Sequence, residues 1–263
     1  MFAVPSAEGA MTDDDFPDPP AILANMGAAY VGFASYQDHG LVETTFQSGT
    51  GNEFKSKVWF TTYFKRPNLF RFAFMMRMMA FGPDMITVIW SDGKSTHVKS
   101  PIWPIDKEPS LGMAIAGATG VSSCSAHTVS CMLMPDLVGG HRTTSIKGAE
   151  YVTNEQVEGE TCDKITKISG SKQSDYWISQ SRSVIRRMQD RDVIGPNFSA
   201  IMDNERIQVQ SFESLFVWFG TKIAGSFAGK MNPMPVTTDT YYQTVVVNED
   251  IPLCVFSEHG RRA

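Results

Sequence analysis

The chain has 263 residues, 42% of them hydrophobic and 19% charged, with a formal net charge of −5. That length allows one large β domain or two small ones. The acidic balance gives no electrostatic footprint for nucleic acid, and no apolar run reaches the roughly 18 residues that a membrane-spanning helix needs. Methionine (15) and phenylalanine (17) are abundant. Methionine is flexible and polarizable, so it suits a surface that meets varied apolar partners, and equally a well-filled core.

Residues 1–17 read as a loose acidic leader carrying Asp13-Asp14-Asp15. Its Phe2-Ala3-Val4-Pro5-Ser6-Ala7 has the look of a signal-peptide tail without the charged and apolar parts. Asp18 then stands as a helix cap before Pro19 and Pro20. Ile22, Met26, Ala29, Tyr30 and Phe33 recur at helical spacing, which predicts an amphipathic helix ending near Ser35. Strands are expected at 40–47 and 54–64, joined by the Gly-rich turn Gln47-Ser48-Gly49-Thr50-Gly51-Asn52. In the second strand Phe54, Ser56, Val58, Phe60, Thr62 and Phe64 share a face.

A further strand begins at Lys65-Arg66-Pro67-Asn68-Leu69-Phe70-Arg71-Phe72, where a proline costs least at the start. Alternation puts Phe70, Phe72, Phe74, Met76 and Met78 on one face and Leu69, Arg71, Ala73, Met75 and Arg77 on the other. Strands at 85–91 and 94–100 follow, with Ser91-Asp92-Gly93-Lys94-Ser95 as the turn. Ile86, Val88 and Trp90 are expected to join the Phe70 face. The run is an antiparallel meander, stopped by Pro101 and Pro104.

Residues 109–138 read as two short helices broken near Gly117–Gly120. Strands resume at 149–157, 161–169, 174–180 and 183–191, with Glu158-Gly159 as a hairpin turn. Residues 205–230 carry Phe212, Leu215, Phe216, Phe219, Ile223 and Phe227 on one helical stripe, ended by Asn232-Pro233-Met234-Pro235. Strands at 239–247 and 252–257 would close the sheet.

Motifs for chemistry mostly fail. Gly225-Ser226-Phe227-Ala228-Gly229-Lys230 is one residue short of a phosphate loop and ends in Met231, where a hydroxyl should hold magnesium. Cys124, His127 and Cys131 would share a helical face as soft ligands, with His141 nearby, but lack a fourth ligand. Cys124, Cys131, Cys162 and Cys254 allow two disulfides or four thiols. On one helix Cys124 and Cys131 would stand roughly 10 Å apart, too far to bridge, so a bond between them needs a helix break. No Gly-x-Ser-x-Gly elbow is present. The chain reads as non-enzymatic, with no metal site and no cofactor.

What the strand faces offer instead is an apolar surface that must be buried or filled. A curved antiparallel sheet of this size leaves room for a ligand, and the segments 19–35 and 109–138 could cover it. Phe70, Phe72, Phe74, Met76, Met78, Val88 and Trp90 are the candidate cargo-binding residues.

Lys65-Arg66-Pro67-Asn68-Leu69-Phe70 followed by Ser91-Asp92-Gly93-Lys94-Ser95 also resembles the core signature of the LolA/LolB family. These are periplasmic carriers and outer-membrane receptors of bacterial lipoproteins. The resemblance is fullest over 21–100 and reduces to strand order and turn placement over 160–190 and 238–256. It implies an α+β fold: a half-barrel of curved antiparallel strands with helices covering the open face, as a single domain over 18–263. It implies a lid at 109–138, acyl chains bound inside and lined by Phe70, and a latch at Arg66 donating to lid carbonyls. Periplasmic location, a removed signal peptide, a lipid or acylated protein cargo and an envelope protein partner follow from the same resemblance. The block at 205–230 departs from the simple carrier. The rival reading is a sensory or scaffold domain whose filled half-barrel recognises a protein partner.

Overall fold

The computed structural model describes residues 17–47, 53–77, 84–101, 106–140, 143–194 and 234–257. The helical stripe expected at 205–230, the leader up to residue 16, Met78 and His141 lie outside the described residues.

The first element is helix α1, Pro19–Gly32. Asp18 holds the N-cap position but makes no side-chain cap; only its carbonyl takes the Ile22 N–H at 3.0 Å. Leu23, Met26 and Tyr30 form the buried seam, the spacing that keeps side chains on one helical face. The helix stops at Gly32, earlier than the sequence suggests. Ser35 already belongs to a strand, its hydroxyl bound to the Glu249 carbonyl and its own carbonyl to Asn248 N–H.

The strands are β1 Ser35–Gln47, β2 Glu53–Lys65, β3 Leu69–Arg77, β4 Asp84–Asp92, β5 Thr96–Lys99, β6 Asp106–Glu108, β7 Glu150–Val157, β8 Glu160–Ser169, β9 Lys172–Ser179, β10 Ile185–Ile194 and β11 Met234–Val247. They make one antiparallel sheet in the order β6-β5-β4-β3-β2-β1-β11-β10-β9-β8-β7. The sheet is open, with β6 and β7 as its edges. It is an α+β fold, two meanders joined where β11 returns to pair with β1. β6 is too short and charged to show as a strand in the sequence. The strand expected at 252–257 is instead a single 3-10 turn, Leu253–Phe256, begun by Pro252. Its Val255 and Phe256 pack with Tyr63, Ile251 and Leu69 on the sheet's outer face.

Topology dictates where the remaining helices go. The chain leaves the sheet at one edge, β6, and re-enters at the other, β7, so the connection must cross a face. That connection holds α2 Leu111–Thr119, α3 Ser125–Thr128 and α4 Ser130–Leu133. Ser110 caps α2 by accepting the Met113 N–H at 3.2 Å. Ser123 and Cys124 take left-handed backbone conformations (φ 51° and 68°) that separate α2 from α3, so the expected pair of helices is three.

One apolar core lies between these helices and the inner face of the sheet. It joins Met26 and Tyr30 of α1, Ile115 of α2 and Leu133 of α4 to Phe60, Phe72 and Ile165 of the sheet. Register irregularities at His39/Gly40, Tyr151/Thr153 and Ile185/Arg187 add bend to the strands. Gly40 is required where it stands, because a Cβ there would sit 2.2 Å from the Phe60 ring and 2.6 Å from the Tyr241 carbonyl. The outer face over β7–β11 is polar: Trp177 lies between Lys164 and Arg187 and donates to Glu155 at 2.8 Å.

Candidate functional site

The two sequence motifs are neighbours in space. Leu69 pairs with Asp92 across β3 and β4, and the Asn68 amide donates to the Gly93 carbonyl at 3.1 Å. Gly93 turns the chain with φ +89°, a conformation glycine takes without strain. The Asp92 carboxylate accepts the Lys94 and Ser95 N–H groups at 2.9 and 2.8 Å. These backbone donors hold its pKa below the usual carboxylate value.

Arg66 stands at the end of β2, beneath the C-termini of two helices. Its Nε donates to the Phe33 carbonyl at 2.8 Å, and its Nη2 reaches the carbonyls of Tyr30 (3.2 Å), Val31 and Leu133 (3.3 Å). The guanidinium also lies 5.2 Å from the Phe64 ring centre. The last carbonyls of a helix have no partner inside it, and a cation suits the negative end of the helix dipole. Three of the four acceptors belong to the end of α1 and one, Leu133, to the 109–138 region.

Phe70, Phe72 and Phe74 point inward and are buried, and Met76 packs partly buried at the core's margin. Phe72 stands between Phe60 and Phe74, with centroids 6.1 and 5.9 Å away. Val88 and Trp90 do not join them. The register sets Ile89 opposite Phe72, while Val88 faces Ala73 and Trp90 faces Arg71. Directly opposed residues share a face, so Val88 and Trp90 lie on the outer side, where Trp90 stacks on His97 at 5.1 Å. The phase was unreadable because Thr87 to Ser91 are all buried. A strand covered on both faces loses its alternation.

Four polar residues occupy the middle of the inner face, of which the sequence singled out only Tyr30, as part of a helical stripe. Tyr30, Tyr36, Asp38 and Tyr242 are all fully buried. The Tyr36 hydroxyl donates to Asp38 Oδ2 at 2.9 Å, and Thr62 N–H donates to Asp38 Oδ1 at 2.8 Å. The Tyr30 hydroxyl accepts the Ile185 N–H at 3.2 Å. Burial pushes the Asp38 carboxyl up to about 7, against the lowering effect of Thr62 and Tyr36. The same desolvation holds the Tyr30, Tyr36 and Tyr242 hydroxyls well above the ordinary phenol range.

Cys124 and Cys254 are exposed and Cys131 and Cys162 buried, and among the described residues no disulfide joins them. Nor do the described residues include a cluster of metal-ligating side chains. His127 turns to the Gly139 carbonyl at 2.8 Å. Outside the helices lies an open depression of about 460 Å³, lined by Gly112, Met113, Ala116, Thr119, His127, Gly139 and Gly140. None of its lining residues belongs to the sheet.

No protein-family model and no curated protein matches the sequence. Among solved structures, the chain is similar in fold to LolA superfamily proteins. One from Nitrosomonas europaea aligns over 91% of this chain and 97% of its own, with 13% identity and a TM-score of 0.30. LprF from Mycobacterium bovis aligns over 90% and 97%, with 12% identity and a TM-score of 0.41. A DUF1329 family protein from Desulfovibrio piger aligns over 91% and 96%, with 10% identity and a TM-score of 0.36. The chemistry of the site rests on its own geometry. Among the described residues no helix is long and apolar enough to cross a membrane.

Proposed function

We propose that the chain is a non-enzymatic binding or carrier protein of the bacterial periplasm. Its cargo is a lipid or an acylated protein, whose acyl chain enters between the inner face of the sheet and the helices. The observation that carries this reading is Arg66, one side chain that ties the sheet's end to the C-termini of both α1 and α4. Releasing it frees two covering elements together, which is what a latch has to do. Phe70, Phe72, Phe74 and Met76 supply the apolar floor, and each CH₂ of a chain laid on it contributes about 0.8 kcal/mol. The covering segments support exchange as well, because residues 19–35 contain no Asp, Glu, Lys or Arg and residues 109–138 only Asp136, for which no ion pair is seen among the described residues. No ion pair has to break when they lift.

The test is organic extraction and mass spectrometry of the exported protein, wild type against Arg66→Leu, with a mock purification as blank. Wild type is expected to carry a stoichiometric lipid or acylated species, and Arg66→Leu to retain at most about a tenth of it, a loss of roughly 1.4 kcal/mol. Equal retention by the variant removes Arg66 from the mechanism. Absence of lipid in folded wild type sinks the carrier reading. A second reading, recognition of an envelope protein partner by a filled half-barrel, draws support from the closely packed interior, where Phe64, Phe70, Phe72, Ile115 and Leu133 are fully buried.

A further inference from the structure

The polar group at the centre of the inner face is out of keeping with its surroundings. β1 is the middle strand of the sheet and β11 lies beside it. There Asp38 and Tyr242 stand beneath α1, α3 and α4, amid phenylalanines. Every other polar atom of the group has a partner. The Tyr242 hydroxyl is buried and makes no hydrogen bond of good geometry; the Thr128 hydroxyl of α3, its one weak neighbour, donates its proton to the Cys124 carbonyl at 3.1 Å. The Tyr242 ring packs edge-on against Phe60, with centroids 5.5 Å apart. A buried hydroxyl without a partner costs on the order of 1–3 kcal/mol. Phenylalanine would fill the same volume without that cost. The hydroxyl therefore makes sense as a donor to something that enters when the helices lift.

Resting on the carrier reading, we propose that Tyr242 and Asp38 form a polar anchor for the uncharged head of an acyl ligand. An ester or amide carbonyl accepts the Tyr242 hydroxyl, and a neighbouring hydroxyl or N–H donates to Asp38. The Asp38 oxygens accept the Tyr36 hydroxyl and the Thr62 N–H, with the Thr62 hydroxyl beside them, and two carboxylate oxygens offer about four acceptor positions, so one is left.

The charge of Asp38 selects against an anionic head, and the need for an acceptor at Tyr242 against a cationic one. Tyr36 from β1, Tyr30 from α1 and Tyr242 from β11 are all neutral hydroxyls, and Thr62 completes the ring from β2. Arg182, the cation whose charge reaches Tyr30, is engaged elsewhere, as is Arg66. Arg182 is bound to Glu160 and the Val245 carbonyl, and Arg66 to the helix ends. A carboxylate or phosphate head brought against Asp38 would meet no countercharge, a costly arrangement in a dry interior. An ammonium head has no acceptor to offer Tyr242. An uncharged ester or amide serves both groups.

The test uses the full-length protein, stripped of lipid, and two probes with the same acyl chain: 1-monooleoylglycerol and oleate, each below its aggregation threshold at about pH 8. Wild type is expected to bind the monoacylglycerol at least about tenfold more tightly than oleate. Tyr242→Phe, an isosteric change, is expected to weaken the monoacylglycerol about three- to tenfold, the worth of one hydrogen bond, and to leave oleate unchanged. The unliganded variant should also melt a few degrees higher than wild type, because an unpartnered polar group has gone. Unchanged monoacylglycerol affinity in Tyr242→Phe, or a lower melting temperature, overturns the anchor while leaving the carrier reading intact. Binding of neither probe by wild type overturns both.

Discussion

Replacing Asp38 by asparagine tests the electrostatics of the interior directly. In the folded protein the Asp38 carboxyl is pushed up to about 7, from an ordinary value of 3.8, and burial is the main cause. Between those two values the folded state holds a proton that the unfolded state has released. Stability therefore falls as pH rises through this window and levels off above about 7. A rise of about three pK units, at roughly 1.36 kcal/mol per unit, makes that loss about 4 kcal/mol. Asparagine copies the protonated form, with its oxygen accepting Thr62 N–H and its amide donating to the Tyr36 hydroxyl. Asp38→Asn should match wild type near pH 4 and exceed it by about 4 kcal/mol near pH 8. The facing groups do not titrate across this range, since Tyr30, Tyr36 and Tyr242 are all held high. His39, next in sequence, pairs with Gln37 and Tyr63 instead. Urea unfolding of both proteins at a series of pH values gives the difference, in which the other titrating groups cancel. A difference that stays flat with pH, or that shrinks as pH rises, refutes the reasoning.

Two further substitutions probe the packing of the floor. Gly40→Ala sets a methyl against the Phe60 ring, and overpacking of this kind costs about 1–3 kcal/mol; the urea midpoint should drop with its slope unchanged. Phe72→Ala should cost about 3–5 kcal/mol and weaken acyl-chain binding. Trp90→Ala, on the outer face, should leave binding as it was, so equal losses of binding from both would contradict the register of β3 and β4.

The meander from β1 to β5 was legible because its signals are local. The alternation of Phe70, Phe72 and Phe74 fixes a strand and a face, and Asp92-Gly93 fixes a turn. The hairpins from β7 to β10 were legible for the same reason. Where two faces are buried, local pattern fails. In β4 apolar residues stand at both phases, Ile86, Val88 and Trp90 at one and Met85 and Ile89 at the other, so alternation does not say which set faces inward. Trp90 and Val88 pack outward because the sheet's outer face at this end is itself partly covered, by the segment that holds Ile251, Val255 and Phe256. That segment lies more than 150 residues away in sequence, and nothing near Trp90 announces it.

Asp38 escaped notice for a related reason. Ser35, Gln37, Asp38 and His39 are polar, and a polar stretch after a helix reads as a connection. In the fold this stretch is the first half of the central strand, with β2 on one side and β11 on the other. Two strands distant in sequence must meet there before Asp38 has an environment at all. Tyr242 gains its neighbours only through that closure, from Phe60 below and Thr128 above. The apolar half of the candidate site is thus written in strand alternation, while its polar half exists only at the seam between the two meanders. An interior that merely filled itself would have no use for a donor at that seam. One that holds an amphiphile needs a fixed point for its head, and the middle strands, the most constrained in the sheet, are where such a point is held best.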